Sequence, residues 1–322
     1  MAAVAGQGTT YNLPNYHGEL FVVTPTETPF LSAIGGLNAA KVTHAKDFEW
    51  QTVDRRASSP NNSALEGAGA PTGAERARAN IDNIVEIHHS AIEVSYTKIA
   101  ARGNFAGANI APQQDDLVLD ELAVQTMAEL ESMAVDIEQS FLSGTYQKPA
   151  DNTTPRKTQG VLGIAQTVSA NGGVNRALSA SIVNAHLQAM FDAGAKLPQA
   201  STVFICGSAQ KVALNTAYAD PTLGATLVAV QRDRTVGGVN VETIVTPFGT
   251  FGVMLDRWMP LHQIAVVDLS VCYPVFLEIP NKGLLFTEEL ARTGASRKFQ
   301  LYGEVGLEYG PTNAHGLIKD LT

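Results

Sequence analysis

Only two cysteines, Cys206 and Cys272, stand in this chain of 322 residues, each inside an apolar run. They read as two buried, unpaired thiols in a reducing compartment, not as a disulfide framework. No window approaches eighteen consecutive apolar residues, so no membrane-spanning helix is expected. Met1 to Tyr11 lacks both a basic and an apolar region, which argues against a secretory signal and for a protein kept in the cytosol. Basic charge is scarce as well: 22 Lys and Arg against 31 Asp and Glu give a formal net charge of −9. A protein that grips nucleic acid usually carries a basic footprint. If this one sits near DNA, it lines or encloses it without binding tightly.

Signs of chemistry are missing too. The histidines at 17, 44, 88, 89, 186, 262 and 315 are scattered and form no metal-binding pattern. His88 and His89 are adjacent on a strand, so they point to opposite faces and cannot share a metal. There is no phosphate-binding loop, and Gly67-Ala68-Gly69 lacks dinucleotide spacing. Ser208 follows Gly207 after a strand, but Gln210 stands where a nucleophile elbow has its second glycine. Ser208 therefore reads as a helix N-cap. No catalytic, metal or cofactor site is predicted, and no cofactor.

What is present is a globular composition, 45% hydrophobic and 16% charged, which is too apolar for a disordered chain. The length allows one large or two medium domains. Residues 1–45 are rich in Gly, Thr and Pro, and Thr24-Pro25 and Thr28-Pro29 favour an extended path. Phe30, Leu31 and Ile34 then form a short helical anchor before Gly35-Gly36. This arm can pack on its own domain or reach a neighbour. Residues 46–54 alternate as a strand, and 84–97 are β-rich with an apparent phase change near Ser90 that suggests a bulge. Between them, residues 55–80 hold seven Ala, three Gly, two Pro and four Arg, with no aromatic residue and no lysine. So long a structureless loop is either a projecting hairpin arm that orders on a partner or a loose surface loop.

Residues 112–144 give a long helix. Pro112 suits its first turn, Asp115, Asp116, Asp120 and Glu121 favour its N-terminal end, and Gly144 stops it. Leu119, Leu122, Thr126, Leu130, Met133, Ile137 and Phe141 draw one apolar stripe. From Gln113 to Gly144 there are eight acids and no base, a solvated acidic face or one turned toward packaged DNA. Short α and β elements follow. Ser179 to Gly194 is a helix with Ile182, Leu187, Met190 and Phe191 inward. Residues 201–206 form a buried strand, and Ser208 to Tyr218 a second helix. Val239–Thr246 and Thr250–Leu255 make a hairpin, and Gln263–Leu269 is an apolar strand. Strict alternation returns in Phe299 to Glu308, a half-buried strand.

Several stretches, in this order, carry a resemblance. They are Thr24-Pro25-Thr26-Glu27-Thr28-Pro29-Phe30-Leu31, Phe48-Glu49-Trp50-Gln51, Glu66-Gly67, Val94-Ser95-Tyr96-Thr97, Glu129-Leu130-Glu131 through Asp136-Ile137-Glu138, and Arg156 to Gly163. Glu308-Tyr309-Gly310-Pro311 with His315-Gly316-Leu317-Ile318 closes the series. Across nearly the whole chain the sequence resembles the major capsid proteins of tailed phages with the Hong Kong 97-like fold. The resemblance implies an α+β subunit with an N-terminal arm (1–45), an extended hairpin loop (46–97), a peripheral domain (98–159 and 263–322) with the long helix as its spine, and an axial domain (160–262). It implies assembly with itself into pentamers and hexamers of an icosahedral virion shell in the host cytoplasm, around double-stranded DNA bound without sequence specificity. A portal and a cement protein are implied partners. Because the arm begins so near Met1, scaffolding is expected from a separate protein. The family's covalent cross-link uses an arm lysine, and residues 51–80 have none, so no cross-link is expected.

On this resemblance the intersubunit contacts of the hairpin arm are assigned to Arg55, Arg56, Glu66, Arg76 and Arg78. Those of an axial loop fall to Asp220, Arg232, Asp233 and Arg234, and Phe30 and Leu31 anchor the N-terminal arm. The competing readings are an encapsulin-type nanocompartment shell of the same fold, a soluble α/β enzyme, and a tail or head-completion protein.

Overall fold

A computed structural model describes residues 24–53, 61–73, 75–100, 121–220, 225–226, 235–236, 239–240, 242–292 and 294–322. In chain order its elements are α1 (Pro29–Ala33), β1 (Lys41–Thr43), β2 (Asp47–Val53), β3 (Arg78–Ile84), β4 (Glu86–Ser95), α2 (Tyr96–Ala100), α3 (Glu121–Ser143), α4 (Val161–Ile164), β5 (Thr167–Ser169), α5 (Ala180–Asp192), β6 (Thr202–Cys206) and α6 (Ser208–Ala217). Two small ribbons come next, β7 (Ala219–Asp220) with β8 (Ala225–Thr226) and β9 (Thr235–Val236) with β10 (Val239–Asn240). The chain ends with β11 (Glu242–Thr246), β12 (Gly249–Leu255), β13 (Ile264–Asp268), β14 (Tyr273–Leu277), β15 (Leu285–Glu289), β16 (Ser296–Glu308) and β17 (Gly316–Ile318).

Two sheets organise these pieces. In the first, β16 pairs antiparallel with β14, β15 and β4, and β1 joins β14 in parallel. The second has the order β11-β12-β6-β13-β17-β5, with β12–β6 and β17–β5 parallel and the other pairs antiparallel. Its central strands, Thr202–Cys206 and Ile264–Asp268, are buried at every position, as continuous apolar runs covered on both faces must be. Because strand side chains alternate, the two faces of this sheet line different cores. Val203, Ile205, Met254, Ala265 and Val267 join the core under α3, with Met133, Ile137 and Phe141. Phe204, Cys206, Val253, Ile264 and Val266 join the core under α5, with Val183, Leu187 and Met190.

The long helix is observed as Glu121–Ser143, with residues 112–120 outside the described residues. Gly144 ends it, because a Cβ there would come within 2.3 Å of Ser140 O and 2.5 Å of Thr158 O. Met133, Ile137 and Phe141 are buried as expected, but Leu130 is 42% exposed. The hairpin β11–β12 and the strands β6, β13 and β16 also fall where the sequence placed them.

Four further expectations are corrected. No bulge occurs at Ser90, which pairs with Leu301 in unbroken register from Ser95↔Ser296 to Glu86↔Val305. The apparent phase change arises because polar His88 and Ser90 occupy the same face as buried Ile92 and Val94. Phe191 faces outward at 54% exposure, while Val183 and His186 point inward. Ser208 is the first residue of α6 and not its cap, which is Gly207. The acids of α3 do not all share a solvated face, since Glu138 is fully buried. Cys206 and Cys272 are both buried, as the sequence indicated.

Candidate intersubunit surfaces

The hairpin arm grows from β2 and β3, paired antiparallel from Asp47↔Ile84 to Val53↔Arg78. Its base is fixed by polar contacts, the most deeply buried of them at Asn83. Asn83 is fully buried; its Nδ2 donates to Leu307 O at 2.7 Å, and its Oδ1 accepts from Ile84 N at 2.9 Å and Gln159 N at 3.0 Å. Trp50 Nε1 donates to Gly310 O at 2.9 Å, and its ring meets Tyr309 edge-on at 4.7 Å. Tyr146 donates its hydroxyl to Asp82 Oδ2 at 2.6 Å, and burial beside that carboxylate pushes its pKa up. Phe48 lies over Gly306, where a Cβ would come within 2.7 Å of its ring. Each satisfied buried donor or acceptor avoids a desolvation cost of about 1–3 kcal/mol.

Away from this base, the described residues 61–73 and 75–80 are all exposed, Leu65 at 87%. Glu66 and Arg76 lie exposed in this stretch. Arg78 opens β3 and donates to Gln51 Oε1 at 3.4 Å. Arg55 and Arg56 lie outside the described residues, as do Arg232, Asp233 and Arg234; Asp220 ends β7. Of the arm residues named from the sequence, Glu66, Arg76 and Arg78 lie in this exposed stretch; of the axial-loop group only Asp220 is among the described residues.

Phe30 and Leu31 anchor the chain to its own subunit. Phe30 is fully buried in the core under α3. The backbone N–H groups of Phe30 and Leu31 donate to Glu138 Oε1 and Oε2 at 2.7 and 2.6 Å. They belong to the first turn of α1, where N–H groups lack helical partners. Trp258 Nε1 donates to Glu27 O at 2.9 Å, and Arg257 meets Glu27 Oε2 at 3.2 Å.

Asp256, also fully buried, lies just beyond β12 and accepts from Trp258 N at 2.9 Å through Oδ1. Its Oδ2 is buried beside the Glu138 carboxyl. Burial, together with the charge of Asp256, pushes Glu138 up to about 8, and burial also raises Asp256. Sequence reasoning missed this pair, because 118 positions separate the two residues and nothing in the local sequence of either records the other.

A second buried charge cluster lies on the first sheet, on β16. Glu304 pairs with Arg156 and accepts from the Tyr302 hydroxyl at 2.7 Å. Elsewhere, burial alone lowers His186 to about 4. Among the described residues no group of three or more His, Cys, Asp or Glu is arranged to hold a metal, and no helix is long and apolar enough to cross a membrane.

Comparisons with known proteins fit this architecture. The structure matches a capsid protein of a native GTA particle at 17% identity and TM-score 0.64, over 100% of this chain and 99% of that one. It matches the cyanophage A-1(L) capsid at 14% identity and TM-score 0.69, over 96% and 97%. The SrpI encapsulin of Synechococcus elongatus is a more distant likeness, at 13% identity and TM-score 0.50 over 96% and 92%. The chain therefore has the α+β fold of Hong Kong 97-like shell proteins. A comparison with curated protein sequences gives no match. The family model for the SU10 major capsid protein covers residues 3–322, and the chain belongs to that family, the shell proteins of phage virions.

Proposed function

We propose that this subunit assembles with itself into pentamers and hexamers of an icosahedral shell that encloses double-stranded DNA, and that it performs no catalysis. The observation that carries this reading is the family match over residues 3–322, on a subunit whose β2–β3 base presents an arm exposed at all its described residues, 61–73 and 75–80. An exposed arm of this kind gains order only against a partner, and repeated heterologous contacts between identical subunits close rings. Many modest contacts made together give a shell far more stable than any one interface.

In this reading the arm (within 46–97) and the axial region (160–262) carry the contacts, through Arg55, Arg56, Glu66, Arg76 and Arg78 and through Asp220, Arg232, Asp233 and Arg234. The peripheral part (98–159 and 263–322) is the platform. A net charge of −9 with no basic footprint suits a wall that surrounds DNA without adhering to it. A separate scaffolding protein, a portal and a cement protein are the expected assembly partners, and the host cytoplasm the place of assembly.

An encapsulin-type compartment is the second reading, favoured by the likeness to the SrpI encapsulin. Negative-stain electron microscopy of the protein co-expressed with its neighbouring genes tests both. Closed particles or five- and six-membered rings are expected, with nuclease-sensitive content for a phage shell and protein cargo for a compartment. Small uniform particles that persist under co-expression would overturn the shell reading.

A further inference from the structure

A cavity of about 480 Å³ lies between β4 and α3. Glu129, Met133 and Asp136 line it from the helix, at i, i+4 and i+7, so they share one face. Two helical turns set the carboxylates about 10 Å apart along the axis, with Met133 between them. From the strand side Glu86, His88 and Ser90 alternate onto the face turned to the helix. The wall therefore carries three acids against one base, Lys157. Among the described residues none of the three carboxylates forms an ion pair. Glu86 Oε2 accepts a long hydrogen bond from Thr158 N, at 3.3 Å.

His88 separates this cluster from an ordinary acidic helix face. The residue is 9% exposed and lines the cavity, and its Nε2 is buried with no hydrogen-bond partner. Ser90 Oγ, two positions on, is buried and unpartnered as well. Orphaned buried polar atoms are uncommon, because each loses the water that would have satisfied it. Burial, opposed by Glu86, lowers the pKa of His88, so the ring is neutral and can offer Nε2 as an acceptor. Burial and the charge of Glu129 raise Asp136, so the two helix carboxylates repel with no cation between them. A bare metal ion fits poorly, since among the described residues no three such side chains are arranged as ligands.

We propose that the cavity between β4 and α3 binds a free linear polyamine, a triamine of the spermidine class. Such a molecule is a row of cations joined by short apolar links, and the helix wall repeats that order as acid, thioether, acid. Its terminal ammonium groups lie at Glu129 and Asp136, and its methylenes lie on Met133. The N–H donors that remain meet Glu86, Ser90 Oγ and His88 Nε2 on the strand side. An inorganic cation has no apolar part to set on Met133, and a four-carbon diamine is too short to reach both helix carboxylates. The site belongs to the single subunit and does not depend on how copies assemble. Its ligand would offset part of the net charge of −9.

Isothermal titration of the purified full-length chain tests this, with spermidine, putrescine and Mg²⁺ as probes at matched ionic strength. Spermidine is expected to bind once per subunit, about tenfold or more tighter than putrescine, with no saturable binding of Mg²⁺. Asp136 is exposed, so Asp136→Asn leaves the core intact, and it is expected to weaken spermidine binding about tenfold. Ser90→Ala is expected to weaken it several-fold. Glu131→Gln removes an exposed acid of α3 that does not line the cavity, and is expected to bind as the wild type does. Thermal melting reports folding, and Glu129→Gln replaces Asp136→Asn should that variant fail to fold. Equal losses in Asp136→Asn and Glu131→Gln would reduce the effect to diffuse attraction by an acidic helix and overturn the site. No binding by the wild type, unchanged binding in Asp136→Asn, or equal affinity for putrescine would overturn it too.

Discussion

Glu138 and Asp256 meet as two buried carboxyls, one on the long helix α3 and one just past β12, and burial together with the charge of Asp256 pushes Glu138 up to about 8, so that it keeps its proton at neutral pH. Glu138 also accepts the first two N–H groups of α1, so this one site ties the N-terminal arm to both the helix and the second sheet. Both carboxyls are raised above their ordinary values. The folded chain therefore keeps a proton that the unfolded chain has released by about pH 5. Stability then falls as pH climbs from about 5 through about 8 and levels off beyond, where the folded chain has released the proton too. Asp256→Asn keeps an acceptor for Trp258 N and removes the second charge. Its thermal midpoint is expected to exceed that of the wild type above pH 8 and to vary less between pH 5 and 9. Parallel melting curves for the two proteins would contradict this.

Phe30→Ala removes a fully buried ring from the core under α3. A loss of about 3–4 kcal/mol in unfolding free energy is expected, measured by chemical denaturation. Hydrogen exchange at Leu31 should accelerate more than exchange in β6.

The Arg156–Glu304 pair is nearly closed to solvent, at 19% and 9% exposure. Arg156→Ala strands the Glu304 charge against the sheet and is expected to cost about 3 kcal/mol. Adding Glu304→Gln should recover part of that loss, because the buried group is then neutral.

Deletion of residues 56–79 removes only exposed chain and residues outside the described set, and it leaves the contacts of Asn83 and Trp50 in place. The subunit is expected to melt within a few degrees of the wild type and to form no shells. Normal shells from this variant would show that the arm is dispensable.

Trp50→Phe keeps the contact with Tyr309 and loses the hydrogen bond to Gly310 O. A cost of about 1 kcal/mol is expected, with faster hydrogen exchange confined to β2 and β3.

Much of this fold was legible in the sequence, because periodicity reports burial directly where apolar residues do the packing. The stripe of Met133, Ile137 and Phe141 and the runs of β6 and β13 are of that kind. Misreading began where a polar side chain occupies an inward position. His88 and Ser90 looked like a change of phase because nothing in one strand's sequence records that a cavity lies opposite. Glu138 looked solvated because its partners, the α1 amides and Asp256, come from distant parts of the chain. Phe191 was assigned inward on helical spacing, yet it meets Phe248 at the surface, with ring centroids 6.5 Å apart. The exposure of residues 61–73 and 75–80 was legible in what the stretch lacks, since a segment without aromatic residues has little with which to bury itself.

The six-stranded sheet is a party wall. Val203, Ile205 and Val267 furnish one room and Phe204, Ile264 and Val266 the other, so neither core can be repacked without moving a strand that the other leans on. Close-packed interiors deform little and pass displacement on. A subunit built this way turns as one block, and a shell that changes shape must find its give in the seams between blocks and in the limbs that cross them.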